Sequence, residues 1–300
     1  MKLYRVPITP TSQFATKLKG DTLFGQICWA IFYKFGKDRL TELLKAYKKE
    51  GNRPFLVVSD GFPSGYLPKP KMPSRFLGEK SEDKKLNRKK LWLRLDELIG
   101  GEYTKAKSDK EIENSDASDI TIHNALNYQT FHTGDGFDPH GLTISHLDKK
   151  DIYFLLDKSQ LEFNEFIEVL ELLSDMGYGK KASIGKGRFE YDKDKIELIE
   201  VDRDSQAFIT LSPFSPKGLK VKTIFYDPFT RFGKFGANRA YKNAFKKPIL
   251  LADVASVVIF DEVQEHQYLG NPISGLSDIP EYSDTVHQGY SIVLPLKELS

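Results

Sequence analysis

Apolar residues in the first part of the chain alternate between the spacing of strands and that of helices. Residues 3–8 form a short β-prone run. Apolar positions then recur at helical spacing over residues 23–31, where Asp21 or Thr22 is the expected N-cap and Gly36 the expected end of the helix. The pattern predicts a strand followed by a helix.

The same alternation recurs further along the chain. A second helix is predicted over residues 40–47 and a second strand over residues 54–60. After a long polar and proline-punctuated stretch, residues 152–156 predict a strand and residues 163–173 a helix. Ser159, with a glutamate three residues later, has the pattern of a capping box before that helix.

Two short strands are predicted after the last helix, over residues 188–191 and 196–201. With an insertion at about 61–150 and the helix before it set aside, the order is β–α–β, β–α–β, the split βαβ or ferredoxin-like arrangement. From residue 203 onward, apolar runs predict strands over residues 207–211, 219–226, 254–260 and 289–296, without long helices between them. We therefore predict an α+β protein with a ferredoxin-like domain over 1–202 and a second, strand-rich ferredoxin-like domain over 203–300.

Positive charge is concentrated in three segments. The whole chain has 44 Lys and Arg against 42 Asp and Glu, a net charge of +2, whereas residues 69–94, 177–189 and 217–247 carry +7, +4 and +8. The rest of the chain therefore carries −17. Glycines and aromatic residues lie between the cations, which favours nucleic acid as the partner. For any one segment alone, a solvated basic loop is an equal alternative.

Composition excludes several other classes of protein. With 40% hydrophobic and 29% charged residues, the chain has the composition of a folded globular protein. Its single cysteine, Cys28, excludes an intrachain disulfide and a multi-cysteine zinc site, and its apolar neighbours predict core packing. No stretch approaches the roughly 18 consecutive apolar residues of a membrane span, so we expect a cytoplasmic location.

A glycine-rich stretch, GYGKKASIGKGRF, follows the helix predicted over residues 163–173. Glycine at positive φ can turn backbone N–H groups toward a phosphate that neighbouring lysines neutralise. The stretch follows a helix rather than opening one, unlike dinucleotide-binding or Walker loops. A helix C-cap and turn is the alternative. The candidate RNA-binding residues here are Gly177, Gly179, Lys180, Lys181, Ser183, Gly185, Lys186 and Gly187.

Four of the six histidines lie in the stretch 123–146. Their spacing fits no helical i, i+4 pair and no HExxH motif, so we expect no metal site and no cofactor. An aromatic-bearing ribbon that touches a partner is favoured over a solvated loop. Its candidate residues are His123, Asn124, Asn127, Phe131 and His132.

The third basic segment interleaves cations with aromatic residues over 229–247. Aromatic rings that stack on unpaired bases, beside cations that hold phosphates, are a common way of binding single-stranded RNA. An equal alternative is that these rings anchor the segment to its own domain. The candidate residues from this segment are Arg231, Arg239 and Lys242, and those from the first basic segment are Lys69 and Lys71.

The motifs LKGDTLFGQICWAI, GYLPKPKMP, HNALNYQTFHTGDG, GYGKKASIGKGRF and DTVHQGYSIVLPL occur in this order from one end of the chain to the other. In this the chain resembles the fourth Csm subunit of type III-A CRISPR effector complexes, in the Cas-five group of the RAMP superfamily. The resemblance implies two ferredoxin-like, RRM-related domains and no catalytic activity. It also implies a subunit that holds the 5′ repeat-derived tag of the guide RNA and joins the large Cas-ten subunit to the backbone RAMP subunit.

The resemblance further implies that the glycine-rich positions contact the guide, and that residues 123–137 form a thumb-like ribbon at the duplex of guide and target RNA. An enzyme of the same superfamily, a metal-independent CRISPR-RNA endoribonuclease with a histidine as general acid–base, is the main alternative. A purely structural adaptor is a third reading, but it leaves the basic segments unexplained.

Overall fold

The structure is a computed structural model that describes residues 1–48, 53–79, 83–124, 126–133, 136, 138–236 and 245–297. Its helices are α1 (Gly20–Lys48), α2 (Lys84–Asn87), α3 (Leu95–Ile99) and α4 (Phe163–Met176). Its strands are β1 (Lys2–Pro10), β2 (Leu56–Pro63), β3 (Leu67–Pro68), β4 (Trp92–Leu93), β5 (Ala117–His123), β6 (His140–His146), β7 (Lys150–Leu156), β8 (Phe189–Tyr191), β9 (Glu197–Ile199), β10 (Asp204–Thr210), β11 (Thr223–Phe225), β12 (Pro228–Arg231), β13 (Ile249–Ala252), β14 (Val257–Glu265), β15 (Tyr268–Gly270) and β16 (Tyr290–Leu296).

The first sheet has the order β2–β7–β1–β8, and β9 also pairs with β1. Every pair in this sheet is antiparallel. β1 and β2, which α1 joins, are therefore not neighbours, because β7 lies between them. α1 packs against β2 and against α4. The strands predicted in the first part of the chain are confirmed, with boundaries shifted by a few residues.

Helix α1 begins one residue before its predicted N-cap. Gly20 is the first residue of the helix, and its backbone N–H donates to Asp60 Oδ1 at 2.8 Å. The side chain that caps the helix therefore comes from β2. A Cβ on Gly20 would lie 2.3 Å from the carbonyl oxygen of Val58, so only glycine permits this close approach. The prediction of Asp21 or Thr22 as N-cap is wrong, whereas the predicted break at Gly36 is confirmed by its φ of 87°.

Helix α4 also begins differently from its predicted start. Its capping box joins Glu162 and Glu165, whose side chain accepts from the Glu162 N–H at 3.0 Å. Ser159 instead donates its hydroxyl to Asp157 at 2.7 Å. The predicted Ser159–Glu162 box is therefore wrong, because Asp157 at the end of β7 competes for the serine.

The second sheet has the order β11–β14–β10–β16–β15. Three of its strands follow the predicted apolar runs, but the strand predicted over 219–226 is limited to β11. Residues from both sheets form one continuous buried cluster. Because this core contains residues from both sides of residue 202, it does not mark a boundary there. The division into domains at residue 202 stays a prediction.

Two contacts join the open edge of β2 to the second half of the chain. The side-chain amide of buried Gln288 donates to the Val58 carbonyl at 2.8 Å and accepts from the Val58 N–H at 2.9 Å. Next to it, the Asp60 N–H donates to the Leu211 carbonyl at 2.8 Å. These bonds satisfy backbone groups that an edge strand would otherwise expose.

The chain between β2 and β7 forms the small sheet β3–β4, the short helices α2 and α3, and the antiparallel hairpin β5–β6. In the part of the chain that the structure describes, no helix is long and apolar enough to cross a membrane.

Candidate nucleic-acid interface

The segment between β1 and α1, residues 11–19, holds the glycine-rich loop in place. The Gly187 N–H donates to the Gln13 carbonyl at 2.8 Å, and the Lys180 N–H donates to Thr16 Oγ1 at 2.9 Å. We call this segment the β1–α1 linker. It fixes the loop at both ends through bonds between residues far apart in sequence.

Glycines are required in the loop where it folds back on itself. Gly187 has a φ of 73°, and a Cβ on it would lie 2.0 Å from the Tyr178 carbonyl oxygen. Gly179 has a φ of 80°, and its Cβ would lie 2.6 Å from Thr16 Cβ. Gly185, with a φ of 85°, has open space around it. Gly177 ends α4, so the helix C-cap expected as the alternative is present within the same loop.

The cations of the loop differ in their surroundings. The side chains of Lys180 and Arg188 are exposed and that of Lys181 is half-buried. Among the described residues, no carboxylate forms a salt bridge with any of these three, whereas Lys186 Nζ donates to the side chain of Gln13. Ser183 is exposed in a single 3-10 turn between these cations. The loop therefore presents unneutralised positive charge beside its exposed turn.

The base of the β5–β6 hairpin contacts the same linker. Phe14 and Ser145 exchange both backbone hydrogen bonds, at 2.8 and 2.7 Å. His146 Nε2 lies 3.0 Å from Gln13 Nε2, so Gln13 touches the hairpin on one side and Lys186 of the loop on the other. The structure thus brings together the predicted ribbon and the predicted loop. Sequence reasoning missed the linker, which carries no periodic apolar signal.

The far end of the hairpin projects apolar and aromatic side chains. Ile120 and Ile122 on β5 are 71% and 72% exposed, and Tyr128 at the tip is 88% exposed. Asn127 organises the tip turn: its side chain accepts from the Gln129 N–H at 2.9 Å. The remaining ribbon candidates Asn124, Phe131 and His132 are exposed near the tip, and His123 stacks on His140 at 5.8 Å between ring centroids.

Two cations of the first basic segment are engaged inside the protein. Lys69 Nζ lies 2.8 Å from Glu79 Oε1 and is only 12% exposed. Lys71 Nζ lies 3.2 Å from Asp253 Oδ2 and 3.0 Å from Asp227 Oδ2. Their ammonium groups pair with carboxylates of the chain itself, and their assignment as RNA contacts stays a prediction. The sequence alone could not identify these carboxylate partners, because the tertiary structure determines which groups lie beside a cation.

Arg231 also has an internal partner. Its guanidinium makes a bidentate contact with the Asp21 carboxylate, with Nε 2.5 Å from Oδ2. The Asp21 side chain is fully buried, and His287 Nε2 lies 3.2 Å from Oδ2 without hydrogen-bond alignment. Arg231 therefore neutralises a buried carboxylate, and its assignment as an RNA contact stays a prediction. Arg239 and Lys242 lie outside the described residues.

This buried cluster shifts the pKa values of its members. Burial acts to raise the pKa of Asp21, but the contacts that its carboxylate makes with His287 and with the Arg231 guanidinium outweigh burial and lower that pKa. Burial lowers the pKa of His287, so the imidazole stays neutral beside the carboxylate and the guanidinium. Burial raises the pKa of Asp60 to about 6, although Lys19 Nζ lies 2.9 Å away and opposes the shift.

Candidate catalytic groups are dispersed. Among the described residues, no group of three or more His, Cys, Asp or Glu side chains has the arrangement of a metal site. Burial raises the pKa of Cys28 to about 12, and the residue packs against the hydrophobic core, as predicted. His146 contacts the β1–α1 linker through Gln13, and Asp119 Oδ2 lies 3.9 Å from its Nε2.

A scan against protein-family models and a search of curated proteins find no match to this chain. Its structure is similar to a chain in the Csm1–Csm4 cassette in complex with cA4, with a TM-score of 0.63 and 16% identity over 99% of this chain and 98% of that one. It is also similar to a chain in the Csm3–Csm4 subcomplex of the type III-A CRISPR-Cas interference complex, with a TM-score of 0.62 and 18% identity over 99% and 100%. These likenesses show that the chain shares the mixed α/β fold of those two chains.

Proposed function

We propose that this chain is a Csm4-type subunit that binds the guide RNA of a type III-A effector complex, holds its 5′ repeat-derived tag and has no catalytic activity of its own. Csm4 is the component named in both similar assemblies, and the likeness extends over nearly the whole of both chains. The same proposal places the chain in the cytoplasm. Its proposed partners there are the large Cas-ten subunit, the backbone RAMP subunit and the target RNA.

The observation that carries the proposal is the meeting of loop and hairpin on the β1–α1 linker. Lys180, Lys181 and Arg188 supply positive charge that no carboxylate of the described residues pairs with, while the hairpin is attached to the same linker through Ser145. A strand of RNA whose phosphates lie along the loop would reach the base of the hairpin next. Phosphate contacts position nucleic acid without reading its sequence, which suits an invariant tag.

The arrangement of the first sheet supports a ferredoxin-like, RRM-related domain at the N-terminal end. β7 separates β1 from β2, and β8 and β9 lie on the other side of β1. Two helices join these strands in the order of a split βαβ unit. We extend the proposal to the strand-rich second half, in which β10 pairs antiparallel with β14 on one side and with β16 on the other.

The alternative function, an endoribonuclease, has one specific observation in its favour. His146 contacts Gln13 of the linker that also holds the cationic loop, with the carboxylate of Asp119 3.9 Å from its Nε2. A histidine can act as the general acid–base for attack by a 2′-hydroxyl. If the chain cuts RNA, His146 is the residue that the structure would assign to the step.

Incubating the purified chain with labelled repeat RNA tests the proposal. We expect RNA that is bound and intact, with binding weakened by Lys180→Ala/Lys181→Ala and unaffected by His146→Ala. Cleavage that His146→Ala abolishes would replace the proposal by the enzyme. If the RNA is neither bound nor cut, the result would favour the interpretation of the chain as a purely structural adaptor.

A further inference from the structure

The first basic segment contains a second set of cations that the assignment of Lys69 and Lys71 overlooked. Residues 84–90, which we call the basic turn, include five Lys and Arg in seven positions. The side chains of Lys84, Lys85, Arg88 and Lys89 are exposed. In the described part of the chain, no carboxylate forms a salt bridge with any of the four. The turn therefore holds four exposed cations that form no such salt bridge, while Arg75 and Arg94 are exposed elsewhere in the segment.

The basic turn is fixed in position by a buried ion. Lys69 Nζ donates to the Asn87 carbonyl at the end of α2 at 2.8 Å while it pairs with Glu79. The Lys69 N–H also donates to the Leu91 carbonyl at 2.7 Å, on the far side of the turn. Holding an ammonium group away from water is costly without such partners. These contacts of Lys69 hold the backbone of the turn in place, and the exposed cations of the turn project from it.

Ion pairs and a short stretch of backbone join the basic turn to the β1–α1 linker. Asp253 accepts from Lys19 Nζ of the linker at 2.9 Å and from Lys71 Nζ at 3.2 Å. Lys71 lies two residues from Lys69, whose ammonium group contacts the turn. The linker that contacts the cationic loop is therefore also connected to the segment that holds the basic turn.

We propose that the basic turn is a second RNA-phosphate contact, used by single-stranded RNA that extends past the glycine-rich loop. The inference takes its choice of ligand from the proposed function and adds a site to it. RNA is favoured because the rest of the chain is strongly acidic, so a polyanion is attracted only at the basic segments. Four cations within six residues match the closely spaced charges of a nucleic-acid backbone.

The test compares RNA length. The variant Lys84→Ala/Lys85→Ala/Arg88→Ala/Lys89→Ala is titrated with labelled oligouridylates of about 10 and about 30 nucleotides, lengths that span one and several module-sized sites. The matched control removes four exposed lysines elsewhere, with Lys2, Lys37, Lys45 and Lys149 changed to Ala. All these side chains are exposed, and urea midpoints verify that both variants fold.

We expect the basic-turn variant to lose affinity for the longer RNA only. Each lost phosphate contact lowers the slope of log affinity against log salt by about 0.7, so two to four contacts lower it by roughly 1.4–2.8. The control variant keeps the slope and the length dependence. Changing Lys180 and Lys181 to Ala, in contrast, weakens binding of both RNAs.

Three results would overturn the inference. Equal slopes for the basic-turn and control variants would make the turn a solvated surface. Equal losses on both RNAs would make it part of the first site. Unchanged RNA binding with loss of co-purifying protein partners would assign it to an acidic protein surface. If only the Lys180→Ala/Lys181→Ala variant is without effect, the proposed function fails at its loop while the basic-turn contact stands.

Discussion

Phe14 and Ser145 exchange two backbone hydrogen bonds, at 2.8 and 2.7 Å, across 131 positions of sequence. This bridge attaches the hairpin to the same linker that holds the glycine-rich loop through Gln13 and Thr16. Two segments that are separate candidates in the sequence therefore form one surface. The geometry favours an RNA that passes along the loop and meets the hairpin at its base.

The loop glycines make different contributions to stability. Gly187→Ala places a Cβ 2.0 Å from the Tyr178 carbonyl oxygen at a φ of 73°, whereas Gly185→Ala meets only the strain of its φ of 85°. We expect Gly185→Ala to cost about 1–2 kcal/mol of unfolding free energy and Gly187→Ala more than about 3 kcal/mol. Urea unfolding measures both, and equal losses would contradict the packing argument.

Gln288 stabilises the junction of the two sheets. Gln288→Leu leaves both the N–H and the carbonyl of Val58 buried without a partner, at about 1–3 kcal/mol for each group. The matched control is Gln206→Ala, which removes one exposed bond to the Asp261 carbonyl and should change stability by about 0.5 kcal/mol or less. Urea unfolding of the two variants decides: a Gln288→Leu protein as stable as the control would mean that these bonds do not hold the edge.

His287 makes stability depend on pH. Burial lowers its pKa in the folded state, so below the ordinary value of about 6.5 the unfolded state takes up a proton that the folded state refuses. Stability should fall on acidification from pH of about 7.5 to about 5.5, by up to about 1.4 kcal/mol per pH unit. Arg231, Lys246 and Asp21 face this imidazole, and the two cations reinforce the shift while Asp21 opposes it.

The variant His287→Gln isolates this effect in urea unfolding at the two pH values. Asp60, with its pKa raised to about 6, acts in the opposite direction, because its folded state takes up a proton first as the pH falls. It is present in both proteins and cancels in the comparison. We expect a flatter pH dependence for His287→Gln and an unchanged one for the exposed-site control His132→Gln. Parallel curves for His287→Gln and the parent would refute the role of the buried imidazole.

The hairpin tip is expected to act on RNA rather than on assembly. Deleting residues 131–137 removes the exposed Phe131 and His132 while leaving the β5–β6 ladder, from the Ala117–His146 pair to the His123–His140 pair, intact. Co-purification of the shortened subunit with its partner subunits should be retained, and contact with the guide–target duplex lost. Release of the subunit from its partners would show instead that the tip is an assembly contact.

The elements of the first sheet could be predicted because each has its own periodic signal. The strand at 152–156, the helix at 163–173 and the break at Gly36 all depend on residues that are close in sequence. The fold class followed from their order. The glycine-rich loop was also visible, since Gly179 and Gly187 mark close backbone approaches whatever lies opposite.

The contacts that the glycine-rich loop makes with the β1–α1 linker could not be predicted. Thr16 and Gln13 belong to a polar linker with no internal pattern, and their partners are more than 130 residues away. The same limit explains Lys71 and Arg231: a cation in a basic segment has the same local signature whether it faces solvent or a buried carboxylate such as Asp21. Only the tertiary structure separates the two cases.

The most direct test of the account is the salt dependence of RNA binding by the glycine-rich loop. Affinity for tagged guide RNA is measured across ionic strength for the parent, for Lys180→Ala/Lys181→Ala/Lys186→Ala, and for a control with Lys2, Lys37 and Lys45 changed to Ala. We predict that the loop variant lowers the slope of log affinity against log salt by about 0.7 per contact, or roughly 2 in all, while the control keeps the parental slope. Unchanged affinity and slope in the loop variant would contradict the account and reduce the loop to a helix cap and turn.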